Sequence, residues 1–262
     1  MPIRNFSGFL PSITVFGLVV PVYYVVISLA FSLSLLWLVR RTDERALSRN
    51  RALDISLVVM VSGFLGSRLF HIFYEEPAYY WARPALVFDI WSGGFVWYGG
   101  AIVAVVMTVL FLRWKQEPLG IWFDLFAPIC AFGYAVGRMA CVLTGCCYGR
   151  VVHLPAFLGS VVGMDLLRHP SQLYAVIGEL ISLTILLKLE NFKHGKIRQQ
   201  PGQLFLVWLV LHSVGRIFME QFRDDPRGAM PLGFSIATWL SLAILIGSAT
   251  ALVKGRFLSP LA

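Results

Sequence analysis

The sequence predicts an all-α integral membrane protein, a bundle of about seven transmembrane helices with a lipid-accessible cavity and loops on the outer side. Three observations lead there. Of 262 residues, 58% are hydrophobic and 14% charged, against about 25% charged in a typical soluble domain. Mean hydropathy is +0.74. Apolar runs long enough to cross a bilayer core of about 30 Å recur along the whole chain, and three arginines, Arg68, Arg138 and Arg216, fall inside them.

The apolar spans read as 17–39, 55–74, 97–113, 121–143, 171–189, 203–220 and 232–253. They form a single transmembrane domain over 1–262, without repeats, low-complexity tracts or a separate soluble domain. Arg40, Arg41, Arg45, Arg49 and Arg51 follow the first span. Arg113 and Lys115 follow the third, Lys188, Lys193, Lys196 and Arg198 the fifth, and Lys254 and Arg256 the seventh. These alternate ends hold 13 of the 22 basic residues, and the positive-inside rule makes them cytoplasmic. The expected protein is multi-pass in a bacterial plasma (inner) membrane, N-terminus outside and C-terminus inside. The first eleven residues carry one Arg and no small-residue cleavage site, so a removable signal peptide is not expected.

The net charge of +8 lies in short inter-helix loops, where it sets orientation. No nucleic-acid motif accompanies it. The outward loops 75–96, 144–170 and 221–231 are longer and hold Trp, Tyr, Gly, His and paired charges. Tyr79, Tyr80, Trp81, Trp91, Trp97 and Tyr98 suit an interfacial aromatic belt.

A guanidinium in hydrocarbon costs from about 3 to more than 10 kcal/mol. Chains keep one when an anion comes to meet it, and in a membrane the nearest such anion is a phospholipid phosphate. Arg68 follows Gly63 and Ser67, a small-residue spacing suited to helix packing. Arg138 stands in Gly137-Arg138-Met139-Ala140-Cys141, followed by Thr144-Gly145-Cys146-Cys147-Tyr148-Gly149-Arg150. A helix to about Leu143 puts Arg138 and Cys141 on one face, and Gly145 and Gly149 then break it and let backbone approach a ligand. Arg138 can grip a phosphate through two parallel hydrogen bonds, or serve as a structural ion-pair partner. Arg216, Glu220 and Arg223 follow one helical face. That ladder orients Arg216 and offers Glu220 as a carboxylate base, or neutralises itself as a buried ion pair.

Ser92-Gly93-Gly94-Phe95-Val96-Trp97-Tyr98-Gly99-Gly100 brackets an aromatic run with glycine pairs. Tyr98 suits a hydrogen-bond donor to phosphate, and acts as a base only beside a cation such as Arg138. In Arg168-His169-Pro170-Ser171-Gln172-Leu173-Tyr174, Ser171 is positioned to cap the fifth helix. His169 sits at the outer interface beside polar residues and suits proton transfer. His153 has no such companions, His71 and His212 lie in spans and suit helix–helix hydrogen bonds, and His194 is cytoplasmic. The four cysteines, Cys130, Cys141, Cys146 and Cys147, show no paired CxxC spacing and no His at ligand distance, so no metal is expected. Cys130 reads as apolar packing.

Together these motifs resemble the bacterial prolipoprotein diacylglyceryl transferase family, from about residue 57 to 225. The resemblance rests on Gly66-Ser67-Arg68, the Gly-Gly-x-x-x-Tyr-Gly-Gly loop ending at Gly100, and Gly137-Arg138 through Gly149-Arg150. It continues through His169-Pro170-Ser171-Gln172-Leu173-Tyr174 to Arg216-x-x-x-Glu220-x-x-Arg223. It implies transfer of the diacylglyceryl unit of phosphatidylglycerol to the lipobox cysteine in the signal peptide of a preprolipoprotein, with release of glycerol phosphate and no cofactor. Tyr98, Arg138, Cys141, Arg216 and Glu220 then fall at catalytic positions. Arg68, Gly99, Gly100, Gly145, Gly149, Arg150, His169, Ser171, Gln172, Tyr174 and Arg223 join Arg138 and Arg216 at substrate-binding ones. Membrane lipids are the other expected partners.

Two positions depart from the family pattern. Cys141 stands where Asn is usual, and Cys146-Cys147 replace the acid or amide common after Gly145. The departures leave three further readings open: another acceptor for the same lipid donor, a covalent adduct on Cys146 or Cys147, or oxidation of the pair. A non-catalytic lipid transporter fits less well, because it calls for repeated halves with broken helices.

Overall fold

The computed structural model describes residues 12–89, 94–151, 168–191, 200–224 and 231–255. Trp91, His153, Lys193, His194, Lys196, Arg198 and Arg256, with Ser92 and Gly93, lie outside them. Seven helices are long and apolar enough to cross a membrane. The chain divides into two compact units, Val39–Leu119 and the combination of Met1–Leu38 with Gly120–Ala262.

The first difference from expectation comes at the start. Residues expected to open the first span form a hairpin instead, β1 (Ser12–Val15) against β2 (Leu18–Pro21), with Val15 opposite Leu18. Phe16 and Gly17 both take positive φ, 48° and 81°, as a two-residue turn matching strand twist demands. The β-branched run Ile13-Thr14-Val15 and Val19-Val20 favours strand, and Pro21 suits a helix only in its first turn. Helix α1 therefore begins at Val22 and runs to Glu44, so Arg40 and Arg41 lie in its last turns rather than in a loop.

In the Val39–Leu119 unit, α2 (Arg49–Phe70) starts six residues earlier than expected. Ser48 caps it by accepting from the Arg51 amide. Arg51 also ion-pairs with Glu117 at 2.8 Å, which holds a basic group inside the helix. A π-helical turn, His71–Glu75, continues α2, and a short helix α3 (Pro77–Ala82) and a 3-10 turn (Pro84–Phe88) follow. Helix α4 (Trp97–Trp114) packs closely on α2. A Cβ on Gly100 would stand 2.7 Å from the Gly63 carbonyl oxygen, and one on Gly99 would stand 2.3 Å from Phe70 Cβ. These glycines are needed so that two helices can touch.

The other unit holds α5 (Leu119–Thr144), α6 (Ser171–Asn191), α7 (Gln203–Glu220) and α8 (Ile236–Val253). Trp37 of α1 packs edge-on to Phe132 of α5, with centroids 5.7 Å apart. Asp124, buried in the first turns of α5, accepts from the amides of Gly202 and Phe205 at 2.8 and 3.0 Å. A carboxylate from one helix thus satisfies the otherwise orphaned N-terminal donors of α7. Helix α8 begins four residues later than expected, because Pro231–Gly233 form a 3-10 turn and Ser235 caps the helix. Helices α6 and α7, and α7 and α8, are packed neighbours.

Candidate functional site

The three intramembrane arginines have different surroundings. Arg68, 5% exposed, spends its guanidinium on backbone. It donates to the carbonyls of Gly94 (3.2 Å), Leu86 (3.1 Å), Val87 (3.3 Å) and Asp89 (2.8 Å). The rings of Tyr80 and Phe95 lie 5.4 and 5.8 Å from it. It ties the carbonyls of Leu86, Val87, Asp89 and Gly94 to α2 within the Val39–Leu119 unit. Tyr98, Gly99 and Gly100 lie in the same unit. Tyr98 is half-buried and edge-on to Trp97 at 5.1 Å, and the two glycines face α2.

Arg138 and Arg216 belong to the other unit. Arg138 donates to the Tyr134 hydroxyl at 2.8 Å and lies 4.9 Å from that ring's centroid. Among the described residues no carboxylate pairs with it. Tyr134, one turn before Arg138 on α5, also lines a small cavity with Tyr174, Glu179, His212, Arg216 and Met219. Its ring meets His212 edge-on at 4.8 Å. Tyr134 is therefore the link between the two arginines.

Arg216 is 8% exposed. Its Nη2 lies 3.1 Å from Glu220 Oε2, while Nε and Nη1 are buried without a hydrogen-bond partner among the described residues. Glu220 is held from three sides. Arg216 takes one, Arg223 stands 4.0 Å away, and Ser235 donates to Oε1 at 2.6 Å. Such a carboxylate is charge-compensated and suits an orienting role for Arg216 better than free base chemistry. Across the cavity, His212 bonds Glu179 through Nδ1, and Trp208 donates to the same carboxylate at 3.3 Å.

The cavity encloses about 20 Å³, room for one water molecule. That is far less room than a lipid head group needs. Arg216 lines this pocket and keeps two buried guanidinium nitrogens without a hydrogen-bond partner among the described residues.

The loop after α5 is built by three stretches of chain. Helix α5 ends at Thr144, and Gly145 turns it with φ 71°, as expected from sequence. Gly149 then bridges Arg223, and Val151 bridges Arg168. The Arg150 amide donates to the Phe222 carbonyl at 2.8 Å, and its carbonyl accepts from His169 at 3.0 Å. A Cβ on Gly149 would lie 2.5 Å from the His169 carbonyl oxygen, so the close approach it permits is to protein backbone. Arg168 locks the knot by donating to Gly149 O and Asp224, both at 3.0 Å. The Arg150 residue is exposed. His169 bonds the Tyr174 hydroxyl at 3.1 Å and stacks edge-on to Phe222 at 4.8 Å.

Ser171 does not act as the expected cap. It is already helical, and its hydroxyl donates to the Cys147 carbonyl at 2.8 Å, while Pro170 supplies the first helix-closing carbonyl, to Tyr174. Gln172 donates to the Cys146 carbonyl at 2.7 Å. Both side chains are buried, and the helix start clamps the dicysteine. The sulfurs of Cys141, Cys146 and Cys147 converge within 4.8 Å of one another. The thiols of Cys141 and Cys146 donate toward Cys147, and Arg223 and Arg138 add positive field, holding the Cys147 thiol well below its ordinary range.

Tyr134, Glu179 and Ser235 were not singled out by sequence. Tyr134 precedes Arg138 by one helical turn, and Glu179 is an ionisable group in mid-span, so both carried a signal. Ser235 did not.

Seven membrane-length helices, with Arg216 buried on one of them, define a polytopic integral membrane protein. Comparison with known proteins narrows the class. The sequence profile described as prolipoprotein diacylglyceryl transferase matches residues 11–254. A phosphatidylglycerol–prolipoprotein diacylglyceryl transferase of Verminephrobacter eiseniae is 32% identical over 79% of this chain and 75% of its own. One from a Polaromonas species is 33% identical over 79% and 76%. A second such transferase of Clostridium perfringens is 28% identical over 89% and 90%. The chain belongs to the prolipoprotein diacylglyceryl transferase family.

Proposed function

We propose that this chain transfers the diacylglyceryl group of phosphatidylglycerol to the lipobox cysteine thiol of a preprolipoprotein. The thiol sulfur bonds to the glyceryl carbon, the carbon–oxygen bond to phosphate breaks, and glycerol phosphate leaves carrying the thiol's proton. The observation that carries this reading is Arg216, which lines the cavity with two buried guanidinium nitrogens unpartnered among the described residues. As the bond breaks, charge grows on the phosphate oxygens, and fixed guanidinium donors in a dry site favour that state. Arg216 and Arg138 are the proposed phosphate ligands, and Glu220 and Arg223 the groups that orient Arg216. Arg68, Gly99, Gly100, Gly149, Ser171 and Gln172 are proposed to build the framework. Entry of a phosphodiester requires Tyr134 or His212 to swing out of the cavity.

The family match runs across both compact units, which supports one transferase domain. The basic ends at Arg40 to Arg51, Arg113 with Lys115, and Lys254 support an inner-membrane protein with its N-terminus outside. The test is to incubate the purified protein with phosphatidylglycerol and a lipobox peptide. A lipidated peptide together with glycerol phosphate supports the reading. Lipid turnover without peptide modification points to a different acceptor.

A further inference from the structure

The structure assigns to Cys141, Cys146 and Cys147 a binding site for a thiophilic d10 cation of the zinc and cadmium class. The inference is independent of the transferase reading. Three sulfurs already lie within 4.8 Å of one another. A zinc–thiolate bond of about 2.3 Å puts sulfurs sharing one ion about 3.8 to 4.0 Å apart, so small side-chain rotations close the set. The sequence hides this cluster. Cys141 lies on α5, and only the tight turn after Thr144 brings Cys146 and Cys147 back over it.

The loop is built, not incidental. Cys147 is a non-glycine residue at φ 60°, a conformation that persists only where its surroundings impose it. The surroundings are Ser171 and Gln172, 0% and 1% exposed, which hold the carbonyls of Cys147 and Cys146. Gln172 keeps a buried Oε1 without a hydrogen-bond partner among the described residues. This leaves a spare acceptor on the amide that grips the loop. Thr144 Oγ1, 3.6 Å from Cys146 Sγ, or a water molecule offers the fourth position of a tetrahedral ion.

A disulfide between the adjacent cysteines fits less well. Neighbouring Cα atoms stand about 3.8 Å apart, short of the 4.4 to 6.8 Å that unstrained disulfides span. Coordination needs no oxidant. Each thiol that still carries a proton releases it to solvent as its sulfur–metal bond forms, and no electron changes hands.

The experiment uses the full-length protein in detergent, reduced and metal-free, titrated with cadmium ion alone. Sulfur-to-metal charge-transfer absorption should rise to one equivalent per chain and vanish with a chelator. Loss of outer-shell partners alone costs metal sites about 10- to 100-fold. C141S, C146S and C147S should therefore each weaken binding at least about tenfold, whereas C130S should leave it unchanged. Circular dichroism and gel filtration confirm that each variant is folded. Absent charge-transfer absorption, full binding by the C141S/C146S/C147S triple variant, or a thiol count showing two of the three sulfurs already bonded to each other in the metal-free wild type would overturn the assignment.

Discussion

Arg216 Nη2 lies 3.1 Å from Glu220 Oε2, one turn along α7, and Nε and Nη1 stay buried without hydrogen-bond partners among the described residues. The carboxylate is itself shared with Arg223 and Ser235. The pair is therefore an aimed guanidinium with donors in reserve, not a closed ion pair.

Lysine at 216 keeps the charge but cannot present two parallel donors. R216K should lower kcat/KM for lipid transfer by about 10²- to 10³-fold, the scale seen when one preformed donor to a developing anion is lost. Thermal stability should change little. Steady-state kinetics beside a melting curve check this, and a change within twofold would count against Arg216 as a phosphate ligand.

Removing the Glu220 charge tests the support. E220Q leaves Arg216 and Arg223 facing each other uncompensated inside the protein, and breaking a buried pair costs about 3–5 kcal/mol. Both the melting temperature and kcat/KM should fall. Normal stability with lost activity would instead mark Glu220 as a base.

Arg68 offers the opposite case. R68K forfeits most of the contacts to the carbonyls of Leu86, Val87, Asp89 and Gly94. Folded yield should drop, while transfer per folded molecule and KM for lipid should stay near wild type. A large rise in KM in well-folded R68K would make Arg68 a lipid ligand after all.

G149A places a methyl against the His169 and Phe222 carbonyls, 2.5 and 2.7 Å away. Overpacking of this kind costs about 1–3 kcal/mol, read as a lower melting temperature. S171A leaves the Cys147 carbonyl without its donor, at about 1–3 kcal/mol for a buried orphan. Maleimide should then label Cys147 faster than in the wild type. Unchanged melting and labelling would show that the loop does not depend on these contacts.

The fold was legible because hydrocarbon length and hydropathy leave few choices, and spans three to six begin and end within two residues of expectation. The errors fell where local chemistry overrides hydropathy. Val19 and Val20 are as apolar as a helix requires, yet the Phe16-Gly17 turn makes them strand. Arg51 was read between the first two spans, yet pairing with Asp54 and with Glu117 keeps it helical. In the site, Arg138, Arg216 and Glu220 were legible because charge in hydrocarbon needs a reason. Arg68 passed the same test, but four carbonyls supply its reason, and no spacing rule reveals a loop folding back. The convergence of Cys141 on Cys146 and Cys147 is likewise set by one tight turn, and Ser235 reaches Glu220 only through the packing of α8 on α7.

The most direct test of the central claim is phosphatidylglycerol-dependent labelling of a lipobox peptide by the purified wild-type protein and by R216K. The wild type should give lipidated peptide and one glycerol phosphate per transfer, and R216K about a hundredth of that rate or less. Equal rates for the two proteins, or no glycerol phosphate from the wild type, would contradict it.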